Sequence, residues 1–178
     1  MLTGVGKDRV GIVADVAELL LEIGCNLLDS SMTLLRGEFA IILMVRLSED
    51  GTIENVRKKV AAAEKRLGLT IHVRELGQDE IKDEESLDAP HIISVYGADK
   101  PGIVAGITRA LADLKINITD VETKYTGDSN TRKPVFLMII EVTVPRGMET
   151  EHVRSELQSV SKRLGVDIAI DCIEVMEL

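Results

Sequence analysis

The chemistry open to this chain is concentrated in one short motif that occurs twice. Gly6-Lys7-Asp8-Arg9-Val10-Gly11-Ile12-Val13-Ala14 returns as Gly97-Ala98-Asp99-Lys100-Pro101-Gly102-Ile103-Val104-Ala105. Each copy sets a carboxylate, a cation and a glycine just ahead of an apolar run. A turn of this kind leading into a helix offers free backbone N–H groups and the positive end of the helix dipole, a natural seat for a carboxylate. Asp8 and Asp99 stand where a side chain could cap the helix by accepting N–H bonds. Pro101 suits a first helical turn, where its missing N–H costs nothing. Gly11 and Gly102 leave room for another chain or a ligand to approach the backbone. Downstream, each copy brings an asparagine, Asn26 and Asn117, whose amide both donates and accepts, as recognition of an amino-acid zwitterion would require. Asp, Pro and Gly also serve as plain turn punctuation, and that reading stands beside the binding one.

No catalytic constellation accompanies these motifs. His72, His91 and His152 lie outside the repeated motifs and read as surface or strand-end residues rather than bases. Gly4-Val5-Gly6 lacks the third glycine of a dinucleotide-binding loop. Cys25 and Cys172 have neither metal-ligand nor redox spacing and read as small buried hydrophobes. An enzyme is therefore not expected, nor a metal, nor a cofactor. A phosphate-cradling loop of the acylphosphatase kind would need an arginine, and Arg9 is replaced by Lys100 in the second copy. The formal net charge of −9 argues against direct binding to nucleic acid. Base stacking on a sheet would need exposed aromatics, and Phe39, Phe136, Tyr96 and Tyr125 are few and lie mostly in core-like strands. No apolar run approaches the roughly 20 residues of a membrane span, and no signal segment precedes the first motif, so a cytoplasmic protein is expected.

The elements that must position these motifs also come in two copies. At an offset of 91, Asn26 and Asp29 match Asn117 and Asp120. At an offset of 97, Arg57 matches Arg154, and Lys65-Arg66-Leu67-Gly68 matches Lys162-Arg163-Leu164-Gly165. The six-residue difference falls in the polar Gly/Pro stretch from Thr126 to Pro134, where an insertion costs little. In the second copy a β-rich run from His91 to Tyr96 precedes a helix carried by Val104, Ile107, Ala110, Leu111 and Leu114. Strands from Asn117 to Tyr125 and Val135 to Val144 form a hairpin. Val153, Leu157, Val160 and Leu164 mark a second helix, stopped by Gly165. Val166, Ile168, Ile170 and Cys172 alternate as a last strand. The first copy repeats the order, with Val10, Val13, Ala17 and Leu20 on its first helix and Ile53, Val56, Val60 and Leu67 on its second. Its opening strand is shortened.

This βαββαβ order predicts an α+β fold: two ferredoxin-like modules, each an antiparallel four-stranded sheet with two helices on one face. The modules span 1–76 and 90–178, joined by an acidic linker over 77–89 that carries six carboxylates against Lys82 alone. With 2% aromatic residues and no Trp, the cores must be aliphatic. The third strands, around Ile41-Ile42-Leu43 and Met138-Ile139-Ile140, are apolar on both faces. The bare sheet face should therefore be covered, between modules or in a homodimer.

Asp8-Arg9-Val10-Gly11-Ile12-Val13 with Asn26-Leu27, and Asp99-Lys100-Pro101-Gly102-Ile103-Val104 with Asn117-Ile118, resemble the ACT domain, a module that binds amino acids and controls metabolic enzymes and transcription factors. A freestanding tandem pair is similar to the glycine cleavage system transcriptional repressor family, which is thought to act through a DNA-binding partner. The resemblance implies a ligand of the glycine or serine class at the side-by-side junction of two modules. Residues 8–12 and 99–103 would supply backbone contacts, and Asn26 and Asn117 side-chain contacts. Val10 departs from the family's usual proline. A ligand-independent regulatory subunit that docks on a metabolic enzyme is the alternative.

Overall fold

A computed structural model describes residues 1–77, 80, 89–126 and 135–173. The chain divides into two compact units, Met1–Asp83 and Glu84–Leu178. In the first unit, strands β1 (Leu2–Lys7), β2 (Cys25–Leu35), β3 (Glu38–Leu47) and β4 (Leu69–Val73) alternate with helices α1 (Ile12–Ile23) and α2 (Ile53–Leu67). The second unit repeats the order with β5 (Ala89–Ala98), α3 (Ile103–Asp113), β6 (Asn117–Thr126), β7 (Val135–Val144), α4 (Thr150–Leu164) and β8 (Val166–Cys172). The sheets run β2-β3-β1-β4 and β6-β7-β5-β8, antiparallel throughout. This is the expected α+β arrangement, and β1 is shorter than β5 as the sequence indicates. Most of the 77–89 linker and the stretch from Gly127 to Pro134 lie outside the described residues.

Alternation along the strands sets the two faces. In the first module the register Leu2↔Leu43, Gly4↔Ile41 and Gly6↔Phe39 puts Leu43, Ile41 and Phe39 beneath the helices. They pack with Val16, Leu19, Val56 and Val60 in one core. The second module builds its core from Ile93, Val95, Ile107, Leu111, Met138, Ile140 and Leu157. Both are aliphatic, save for Phe39, which is fully buried. The opposite face carries exposed Val5 and Ile42 in one module and Ile92, Tyr96 and Ile139 in the other. Tyr96 and Tyr125 are exposed rather than core residues.

The phase of the first helix differs from the sequence expectation. Ile12, Val16, Leu19, Leu20 and Ile23 face the core, whereas Val10 is fully exposed and Val13 and Ala17 point outward. In α3 the expected face holds at Ile107, Leu111, Ala110 and Leu114, and only Val104 turns outward, with Ile103 buried in its place. The reason is visible in α1 itself: Val13, Ala14, Ala17 and Leu21 place apolar groups off the core face, so apolar spacing alone does not pick the phase. The second helices are polar on their outer faces, and there the expected stripes hold.

Candidate functional site

Each turn between first strand and first helix is shaped by a glycine in the left-handed region. Gly11 has φ 85° and Gly102 φ 94°, and each is the N-cap of its helix. A Cβ at either position would meet no atom within 4 Å, so the glycine is required by its dihedral angle and not by crowding. Neither helix start has a side-chain cap. Asp8 and Asp99 therefore do not cap as the sequence suggested. The Asp8 N–H instead donates to the Gly37 carbonyl at 3.0 Å, joining the turn to the β2–β3 hairpin. Pro101 sits one residue before the N-cap, outside the first helical turn, because the left-handed glycine stands between it and the helix. At the helix tips, Ile12 N–H bonds Arg9 O at 3.3 Å, while the N–H groups of Val13 and Ala14 have no backbone acceptor among the described residues. The same holds for Ile103, Val104 and Ala105. Both tips are thus open donors with the helix dipole behind them.

The cationic side chain of each turn folds back onto its own module. Arg9 donates to Asp15 in the first turn of α1, to Leu67 O at the end of α2 (3.3 Å) and to Val10 O (3.4 Å). Lys100 Nζ lies beside Gly165, the residue that ends α4, 3.3 Å from where a Cβ would stand. Backbone packing brings the same segments together. A Cβ on Gly6 would stand 2.3 Å from Gly68 O, and one on Gly97 2.8 Å from a Val166 methyl. The two repeated motifs, separated by more than fifty residues, meet at this point.

Asn26 and Asn117 do not join the turn of their own module. Asn26 is exposed near the start of β2 and pairs with Arg46, whereas the turn follows Lys7, which pairs with Glu38 at the far end of the sheet. The nine residue steps from Asn26 to Leu35 span roughly 30 Å. Asn117 pairs with Thr143 and is likewise far from Gly102. Just past each asparagine the register slips, at Leu27/Asp29 and at Ile118/Asp120. This β-bulge, which the sequence did not reveal, bends the strand and re-aims its side chains. Beside it in the first module is a cavity of about 270 Å³ lined by Leu28, Met44, Arg46, Ile53 and Val73 among others.

A family model for the ACT domain matches residues 1–74 and 90–171. The chain belongs to the ACT-domain family. A UPF0237 protein of Pyrobaculum aerophilum is 34% identical over 87 residues, which cover 48% of this chain and 90% of that protein. One of Methanopyrus kandleri is 37% identical over 80 residues, 44% of this chain and 82% of that protein. Each such relative corresponds to about one module. Two solved structures are similar over the whole tandem chain. A protein of unknown function from Galdieria sulphuraria has a TM-score of 0.76 at 28% identity, covering 97% of this chain and 96% of that one. A protein provisionally assigned as a glycine cleavage system transcriptional repressor has a TM-score of 0.70 at 21% identity, covering 98% and 96%. The latter likeness is one of fold.

The edges of the two ACT sheets are treated differently. On β4 the Ile71 N–H is taken by Glu64 Oε1 at 2.7 Å, and on β8 the Ile170 carbonyl accepts from Arg154 at 3.1 Å. Side chains from the second helices thus occupy main-chain groups of these edges. The opposite edges, β2 and β6, pair on one side only among the described residues. β2 is eleven residues long and exposes Leu27, Leu28, Met32, Leu34 and Leu35. A long apolar edge of this kind is a template for pairing with another strand.

Other polar residues have structural settings. His91, read from sequence as a surface or strand-end residue, is buried: one ring nitrogen is 2.9 Å from Ala89 O and the other 3.0 Å from Thr150 Oγ1, tying β5 to the start of α4. His72 and His152 are exposed. Cys25 is half-buried, and burial pushes its thiol pKa up, whereas Cys172 is exposed and not the buried hydrophobe expected. Among the described residues, no group of three or more His, Cys, Asp or Glu could hold a metal, and no helix is long and apolar enough to cross a membrane.

Proposed function

We propose that the chain is a non-catalytic regulatory protein that binds a small amino acid, of the glycine or serine class, and modulates a partner. The tandem neighbour is provisionally assigned as a glycine cleavage system transcriptional repressor, and by analogy this chain would act on glycine cleavage through its partner, in the cytoplasm. The observation that carries this reading is the pair of uncapped helix tips at Gly11 and Gly102, whose N–H groups await an acceptor. The ligand's carboxylate would take these donors, with backbone contacts from Asp8, Arg9, Val10, Gly11 and Ile12, or from Asp99, Lys100, Pro101, Gly102 and Ile103.

The asparagine half of the site would come from a second copy of the chain. Antiparallel pairing of β2 with its symmetry mate sets the start of one strand beside the end of the other. The end of β2, at Leu35, adjoins the turn through Glu38 and Lys7. The partner copy's β2 start, with its asparagine, would then approach this chain's helix tip. The open, apolar β2 edge supports such a homodimer, and a two-fold axis makes the contact self-complementary. Ligand binding across that junction would couple amino-acid level to assembly or partner affinity. Residues 77–89 would serve as a spacer between modules 1–76 and 90–178.

Calorimetric titration of the full chain with the twenty amino acids tests the proposal. Heat from glycine or serine, lost in Asn26→Ala or Asn117→Ala, is the expected result. Silence from all twenty would sink the sensor reading. The bare apolar sheet faces, with Val5 and Ile42 in one module and Tyr96 and Ile139 in the other, favour a second reading: a subunit that docks on an enzyme without any ligand. A stable partner captured equally well with and without amino acids would support it.

A further inference from the structure

We infer that Arg9, and more weakly Lys100, are positioning residues that fix the helix-tip turn against the end of the module's second helix. The recurring Lys-Arg-Leu-Gly segment is thereby part of the binding apparatus without touching ligand. This rests on the proposed amino-acid site for its purpose, though not for its geometry. The Arg9 guanidinium holds three separate pieces of the fold at once: its own turn at Val10 O, α1 at Asp15, and the last residue of α2 at Leu67 O. Its charge also lies at the C-terminal, negative end of the α2 dipole. Gly6 and Gly68 O close the same junction by backbone contact.

The second module carries a reduced version. Lys100 reaches the α4 end at Gly165, but Gly106 stands where Asp15 stands in α1, so no carboxylate answers it. An ammonium carries its three donors on a single atom and does not spread them as a planar guanidinium fork does, and among the described residues Lys100 makes none of the three contacts of Arg9. A turn built on a left-handed glycine has freedom that must be lost when its N–H groups converge on a carboxylate. Ordering the turn beforehand removes that loss from the binding step. The first turn should therefore be the more rigid of the two in the free protein.

The test uses the full chain and four variants: Arg9→Met, Arg9→Lys, Asp15→Asn and Lys100→Met. Amide hydrogen exchange is followed without ligand, and calorimetry is run with glycine and with L-serine. Arg9→Met should speed exchange of the hydrogen-bonded first-turn amides Asp15, Val16 and Ala17 by about tenfold while β3 amides stay protected, and weaken binding by a similar factor. Arg9→Lys should recover part of both, and Asp15→Asn, a milder change that keeps the arginine, should fall between. Lys100→Met should raise exchange at Gly106 and Ile107, the corresponding bonded amides of α3, by no more than about threefold. Exchange at residues 15–17 within twofold of the unaltered chain in both Arg9→Met and Asp15→Asn would overturn the proposal. Faster exchange with unchanged affinity would reduce Arg9 to a structural contact and overturn its positioning role. Should no amino acid bind the unaltered chain, the sensor reading fails separately, and the exchange data alone decide whether the clamp exists.

Discussion

The two modules reach the same turn by different side-chain means. Gly11 and Gly102 share a left-handed backbone, and both helices start without a cap. Around that common shape the first module uses an arginine with three acceptors, and the second a lysine with none of them. The first reaches its turn from a six-residue strand and the second from a ten-residue strand anchored by buried His91. Duplicated backbone with diverged support teaches that the open N–H groups are the common element. The side chains around them serve to hold that element in place.

The largest expected difference between the modules is in their cores. Phe39 is fully buried in the first, while its counterpart Phe136 is only partly covered. Phe39→Ala should destabilise the first module by about 3–5 kcal/mol, and Phe136→Ala should cost the second clearly less. Denaturant unfolding with a probe in each module measures both, because the two units need not unfold together. Equal losses would mean that the exposed side of Phe136 is covered in the assembled protein, which would itself support the homodimer.

The next contrast lies at the junction of strand and helix end. Gly6→Ala drives a Cβ to 2.3 Å from a backbone carbonyl, which cannot swing away; Gly97→Ala meets chiefly the Val166 side chain. Overpacking of this kind typically costs about 1–3 kcal/mol. The first substitution should sit at the top of that range and the second near the bottom. Thermal midpoints in the reverse order would argue that the two junctions are not built alike.

How much of this was readable in advance depends on whether the signal was local. The repeat, the βαββαβ order and the stop glycine Gly165 are local and stand as read. The phase of α1 was missed because Val13 and Leu21 are apolar yet face outward. Asp8 and Asp99 were expected to cap and do not, because a single φ value at the next glycine decides the geometry. The meeting of Arg9 with Leu67, and the separation of Asn26 from Gly11, depend on strand order and register, which no window of sequence contains. The recurrence of Lys65-Arg66-Leu67-Gly68 was the one hint that the helix end matters. The bulge after Asn26 left no recognisable mark.

A smaller difference concerns His91, which has no counterpart in the first module because that strand begins too late. Thr150→Val removes the hydroxyl partner of one ring nitrogen. The loss should be about 1 kcal/mol, confined to the second module. Native-state hydrogen exchange in α4 against α2 would register it. A loss shared equally by α2 would mean that the two units are energetically coupled.

The smallest effect separates two ion pairs that look alike on paper. Arg9–Asp15 joins a turn to a helix, whereas Arg109–Asp113 links two exposed residues of the same helix, four apart. The Arg109 hydrogen bond holds the Asp113 carboxyl below its usual pKa. Any stability from that pair is present above the ordinary aspartate pKa and fades as pH falls through the lowered value. Solvent screens it on both sides, so Asp113→Asn should leave the thermal midpoint unchanged whether it is read at pH 7, where the carboxylate is charged, or at about pH 3, below the ordinary aspartate pKa. Asp15→Asn, by contrast, should loosen the first turn under the same conditions. A pH-dependent midpoint shift from Asp113→Asn would mean that this helix face is covered by another surface, where a screened pair becomes a consequential one.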